Sequence, residues 1–108
     1  MRISFSSRKL ERQLSDEMQM NQAFGDLARR LKMRLDLLRA ANTLADVPHV
    51  PPPRRHRLTA PWNGHYAVDL SGNWRLIFKP ADHAGGEEAN LKEVTAIEIV
   101  AVIDYHKK

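Results

Sequence analysis

Hydrophobic positions change their spacing along the chain, and each change marks a new element. In residues 1–5, Ile3 and Phe5 alternate with polar neighbours, the period-2 pattern of a short half-buried strand. Ser6 or Ser7 then offers a hydroxyl to an orphan backbone N–H, which predicts a helix starting there and running through Leu14. Residues 15–25, with Met18, Met20 and Phe24 ahead of Gly25, read as a turn followed by a short helical segment. Over residues 26–42, Leu27, Leu31, Leu35, Leu38 and Ala41 recur every three or four positions, so an amphipathic helix with that stripe in the core is expected. Its other faces carry Arg29, Arg30, Lys32, Arg34 and Arg39. Such side chains lay their stems on apolar surface and keep their charges in water, or form a docking surface for an acidic partner or nucleic acid.

Proline then interrupts both periods. Pro48, Pro51, Pro52, Pro53 and Pro61 fall within residues 46–61, where Arg54, Arg55 and Arg57 surround His56. Proline fixes φ and donates no backbone hydrogen bond, so an ordered connector is expected rather than a helix or a central strand. Alternation returns with Tyr66, Val68 and Leu70, then Ser71-Gly72-Asn73 as turn residues, then Trp74, Leu76 and Phe78. That is a β-hairpin, and it puts Arg75 on the face opposite Trp74, Leu76 and Phe78. Residues 80–92 form a polar loop, and residues 94–103 are rich in β-branched side chains and read as a central strand, apolar on both faces. The sum is an α+β fold: two N-terminal helices packed on one face of a small, mainly antiparallel sheet, in one domain spanning residues 1–108.

Composition narrows the chemistry. The 108 residues contain no cysteine, which removes disulfides, thiolate zinc sites and cysteine nucleophiles. No phosphate-binding or dinucleotide-binding glycine pattern occurs, and the five histidines show no close ligand pair, so neither cofactor nor metal is expected. No apolar run approaches the roughly 20 residues needed to cross a bilayer, and the opening MRISFSSRKLERQL turns charged too soon for a signal-peptide core. A cytoplasmic chain with no membrane partner is expected. Seventeen Lys and Arg against thirteen Asp and Glu give +4 and a pI near 9.8. The excess is N-terminal: residues 1–57 hold twelve basic and six acidic side chains. That balance suits a polyanionic partner, because phosphate neutralisation by Lys and Arg is the main sequence-independent source of nucleic-acid affinity.

The ionisable groups fall in three places. Asp104-Tyr105-His106 follow the last strand, where the sheet holds side chains firmly and solvent still reaches them. Histidine titrates near neutral pH, a carboxylate orients or deprotonates, and a tyrosine ring stacks on a base. Arg75 is flanked by hydrophobic residues and either pairs with an acid or aims at a phosphate. Arg54, Arg55 and Arg57 beside His56 form a cationic segment able to grip an RNA backbone.

Gly72-Asn73-Trp74-Arg75-Leu76-Ile77-Phe78, Glu98-Ile99-Val100 and the closing Asp104-Tyr105-His106 together resemble the HigB-like branch of the RelE/ParE toxin superfamily. Ile3-Ser4-Phe5, the helix Arg34-Leu35-Asp36-Leu37-Leu38-Arg39-Ala40-Ala41 and His56-Arg57-Leu58 extend the likeness over nearly the whole chain. The resemblance implies the toxin of a type II toxin–antitoxin pair, a ribosome-dependent mRNA endonuclease restrained by a helix-turn-helix antitoxin and meeting DNA only through that antitoxin. By position it implies active-site roles for His56, Arg75, Asp104, Tyr105 and His106. Where the family commonly has Lys-Gly, two or three positions after the equivalent of His56, this chain has Thr59-Ala60-Pro61 and so lacks that cation. RNA cleavage without metal needs a base for the 2′-hydroxyl, a cation for the phosphorane and an acid for the leaving 5′-oxygen. These residues supply all three. The competing expectations are a ParE-like gyrase inhibitor, a degenerate toxin acting as antitoxin-binding co-repressor, and an RNA-binding protein that does not cut.

Overall fold

The computed structural model describes residues 1–81 and 90–105. Most of the expected 80–92 loop, and His106, lie outside these residues. Strand β1 (Arg2–Phe5) leads into helices α1 (Arg8–Ser15) and α2 (Glu17–Phe24), and a 3₁₀ turn over Gly25–Leu27 precedes helix α3 (Ala28–Ala40). The breaks between helices have local causes. Ser7 Oγ accepts from the Leu10 N–H at 3.1 Å to start α1, and Asp16 Oδ1 accepts from the Met18 N–H at 2.9 Å to start α2. Gly25 ends α2 with φ +52°, a left-handed conformation that favours glycine. The Leu stripe behaves as its spacing predicts: Leu31, Leu35 and Leu38 are completely or almost completely buried.

Among the described residues the sheet has five strands in the order β1-β5-β4-β3-β2, completed by β2 (His56–Arg57), β3 (Tyr66–Asp69), β4 (Trp74–Pro80) and β5 (Ala96–Asp104). β1 runs parallel to β5, and the other pairs are antiparallel. The connector differs from its sequence reading in one respect. It contributes β2, a two-residue edge strand with His56 opposite Ala67. Pairing on one side only leaves proline on either flank harmless, which is why a strand survives there.

The helices cover one face of this sheet. Leu14, Met20, Leu31, Leu35 and Leu38 pack against Tyr66, Val68, Leu76, Phe78, Ile97 and Ile99. On the other face a smaller cluster is built on Leu58, Ala67 and Ile77, with Trp62, Val100, Ala101, Ile103 and Tyr105 packed against it. A bulge in β5 decides which residues reach that face. Ile77 pairs with Ala101 but Phe78 pairs with Ile99, so Val100 is an extra residue and the alternation changes phase there. Before the bulge Ile97 and Ile99 point to the helices; after it Ala101 and Ile103 point away from them. Among the described residues, no helix is long and apolar enough to cross a membrane.

Candidate functional site

The face away from the helices gathers ionisable groups from three strands. β2 brings His56, which shares its cross-strand row with Ala67, Ile77 and Ala101. β4 brings Arg75, in the next row of the same face with Asp69 and Ile103. Tyr105 follows β5, its N–H donating to the Asn73 carbonyl at 2.9 Å and its side chain packed on the Leu58–Ala67–Ile77 cluster. With strands about 4.8 Å apart and about 3.3 Å per residue, His56 and Arg75 are set about 12 Å apart at the backbone. The Arg75 guanidinium is turned to the hairpin turn and Asp69, and His56 Nδ1 to the Arg54 carbonyl.

His56 is held in a defined tautomer. Its Nδ1 lies 2.9 Å from the Arg54 carbonyl oxygen. A carbonyl only accepts, so Nδ1 carries the proton and the neutral ring presents the Nε2 lone pair. That is the form a general base requires.

Arg75 is held more tightly. Its side chain is only 14% exposed, and Nη1 donates to the Gly72 and Trp74 carbonyls at 2.9 and 3.0 Å. Nε sits 2.9 Å from Asp69 Oδ1, yet it makes no hydrogen bond there. The contact is therefore an ion pair rather than a directed bond. Asp69 also receives Arg54, through Nε to Oδ2 at 2.7 Å and Nη2 to Oδ1 at 3.0 Å. This forked pair keeps Arg54 charged, raising its pKa above the ordinary guanidinium value. It also accompanies a φ of +57° at Arg54, a conformation side chains other than glycine seldom adopt. Arg34 reaches the same point from α3, donating from Nε to the Asp69 carbonyl at 2.7 Å. Burial, and then repulsion from Arg30, lower its pKa, with Asp69 opposing.

The structure thus brings His56, Arg75 and Tyr105 to one face and sets other expected residues elsewhere. Asp104 pairs with Trp74, and the phase after the bulge puts it in the row of Trp74 rather than with Ile103. Arg55 donates from Nε to the Val47 carbonyl at 2.9 Å, and Arg57 lies over the Tyr66 ring, 5.9 Å from its centre, in the row of the helix-covered face. Of the expected RNA-gripping arginines, Arg54 is the one tied to Asp69 beside Arg75. Two residues of this face went unnoticed in the sequence. Asp69 reads there as an ordinary polar member of an alternating strand. Trp62, set edge-on to His65 with ring centres 5.4 Å apart, reads as a loop residue. An acid at a strand end in an arginine-rich chain was the available signal for the first, and an aromatic beside His-x-Leu for the second.

A hollow of about 110 Å³ lies between α1, α2 and α3, lined by Leu14, Met20, Leu35 and Arg39 among others, and it contains none of these site residues. Among the described residues, no group of three His, Asp or Glu could hold a metal ion.

Fold and site together define a small α+β protein with helices on one sheet face and histidine, arginine and tyrosine on the other. The model of the HigB-like toxin family, described as the RelE-like toxin of the type II toxin–antitoxin system HigB, matches residues 3–92, and the chain belongs to that family. A toxin of a type II system is partnered by an antitoxin. No match was found among curated proteins.

Proposed function

We propose that this toxin is a ribosome-dependent mRNA endonuclease acting in the cytoplasm, with His56, Arg75, Tyr105 and His106 as its working residues and Asp104 in support. The carrying observation is His56: its Nδ1–H is committed to the Arg54 carbonyl, which leaves Nε2 as an acceptor on the same face as Arg75. Nε2 takes the proton of a ribose 2′-hydroxyl, the 2′-oxygen bonds to phosphorus, and the bond from phosphorus to the 5′-oxygen breaks. His106, as the acid, gives its proton to that leaving oxygen. The products are a 2′,3′-cyclic phosphate and a 5′-hydroxyl. Arg75 stabilises the charge gathering on the phosphorane oxygens, and Tyr105 stacks on a neighbouring base. A helix-turn-helix antitoxin restrains the activity and links the toxin to DNA.

Primer extension on mRNA in a translation reaction tests this reading. Cuts within translated codons, lost in His56→Ala and His106→Ala, are expected; intact message in the presence of folded wild-type protein would refute it. A second reading, a non-cutting toxin fold that serves its antitoxin as co-repressor, draws on one observation, the close confinement of Arg75 by Gly72, Trp74 and Asp69. Intact message is the result it predicts.

A further inference from the structure

Asp69 occupies an unusual position for an acid on a face meant for a polyanion. A carboxylate beside a phosphate seat repels the ligand, and this one is not a loosely held surface group. Its backbone is anchored from two sides, the N–H donating to the Pro53 carbonyl at 2.8 Å and the carbonyl accepting from Arg34 at 2.7 Å. Its side chain binds the Arg54 fork and lies against Arg75 Nε, so one carboxylate joins the connector to β4. Oδ1 is shared: 3.0 Å from Arg54 Nη2 and 2.9 Å from Arg75 Nε. Two guanidinium groups that would otherwise repel each other are thereby held side by side, and with Arg34 behind them positive charge remains in excess around a single negative one.

We propose that Asp69 is a positioning residue, whose carboxylate holds Arg54 and Arg75 together as a paired-guanidinium seat for one RNA phosphodiester. The inference rests on RNA being the ligand of this face. The seat is preorganised but unsaturated. Arg54 is 37% exposed, and the Arg75 Nε–H is buried without a hydrogen bond among the described residues. A buried donor left unpaired is costly, and a phosphate oxygen brought up to the held guanidinium satisfies it. Asp69 costs the ligand some repulsion and returns fixed geometry.

The sign of one measurement separates this role from simple electrostatics. If Asp69 acted on RNA only through its charge, Asp69→Asn would strengthen binding by removing a repulsive group. Positioning predicts the opposite. With a single-stranded 2′-O-methyl RNA, which binds but cannot be cut, the folded Asp69→Asn protein is expected to lose about tenfold in affinity. Its log–log salt slope should become shallower by about one, the mark of one lost phosphate contact. Thermal melting and circular dichroism confirm that the variant is folded. Asp69→Glu provides a second arm: charge is kept and geometry changed, so affinity falls if position matters and stays if charge alone does. Equal or tighter binding by Asp69→Asn, unchanged binding by Asp69→Glu, or no binding by the wild type overturns the proposal. Wild-type binding with no cutting of translated message would remove the nuclease reading and leave the phosphate seat standing.

Discussion

At the residue scale, the chemistry turns on which hydrogen bonds are already committed. His56 has one ring nitrogen committed to the Arg54 carbonyl and, among the described residues, no hydrogen bond at the other, so a substitution that preserves only the committed nitrogen is informative. His56→Asn is expected to keep the fold and to lower cleavage by at least a hundredfold, in the range of a lost general base. Single-turnover cleavage on programmed ribosomes measures it, and near-wild-type rates would remove His56 from proton transfer. Gly72 has a different task. Its φ is +55° at the hairpin turn, and among the described residues a Cβ there would meet no atom within 4 Å beyond its chain neighbours. Gly72→Ala is therefore expected to cost about 1 kcal/mol through backbone conformation alone. Urea denaturation checks this, and an unchanged midpoint would contradict it. Asp69 shows why part of the site was hidden in the sequence. Arg54 is fifteen residues away from it and Arg34 thirty-five, and no local pattern marks partners at such separations. Arg75, flanked by hydrophobic residues in an alternating strand, is legible because parity alone fixes its face.

Elements divide in the same way between the legible and the hidden. The stripe Leu31, Leu35, Leu38 announces α3, because a 3.6-residue period has one structural meaning, and these side chains are the buried ones. The hairpin announces itself by alternation on both sides of a turn. β2 does not, since two residues between prolines carry no period, and the parallel pairing of β1 with β5 depends on a crossover that no short-range signal encodes. The bulge at Val100 is hidden for another reason: β5 is apolar on both faces, so a change of phase leaves its hydrophobic pattern intact. Yet that one residue decides that Ile103 and Tyr105, rather than Asp104, share a face with Arg75. Deleting Val100 should give simple alternation from Ile99 to Ala101 and leave Ala101 and Ile103 facing away from the helices in their present pairing. A shortened chain that melts cooperatively at the wild-type temperature would show the bulge to be dispensable. Leu31→Ala, in the fully buried stripe, is expected to cost roughly 2–5 kcal/mol, measured by chemical denaturation with cleavage unaffected below the transition.

For the whole molecule, the helices bury one sheet face and leave the other, which carries the proposed site, uncovered by helix. The basic excess lies mostly in the first 57 residues, but the residues of the proposed site come from β2, β4 and the end of β5, drawn together by the sheet. Its accessible apolar part is formed by Ala101 and Ile103, over the buried Ala67 and Ile77, and is bordered by Trp62 and Tyr105; the Asp69–Arg54–Arg75 network marks one end. An apolar floor with aromatic edges and a guanidinium seat suits a single-stranded RNA, whose bases stack while its phosphates are gripped. The direct measurement is methyl chemical-shift mapping during titration with a 2′-O-methyl RNA. The account predicts that Ala101 and Ile103 shift while Leu31, Leu35 and Leu38 do not; shifts confined to the helices, with the sheet methyls unmoved, would contradict it.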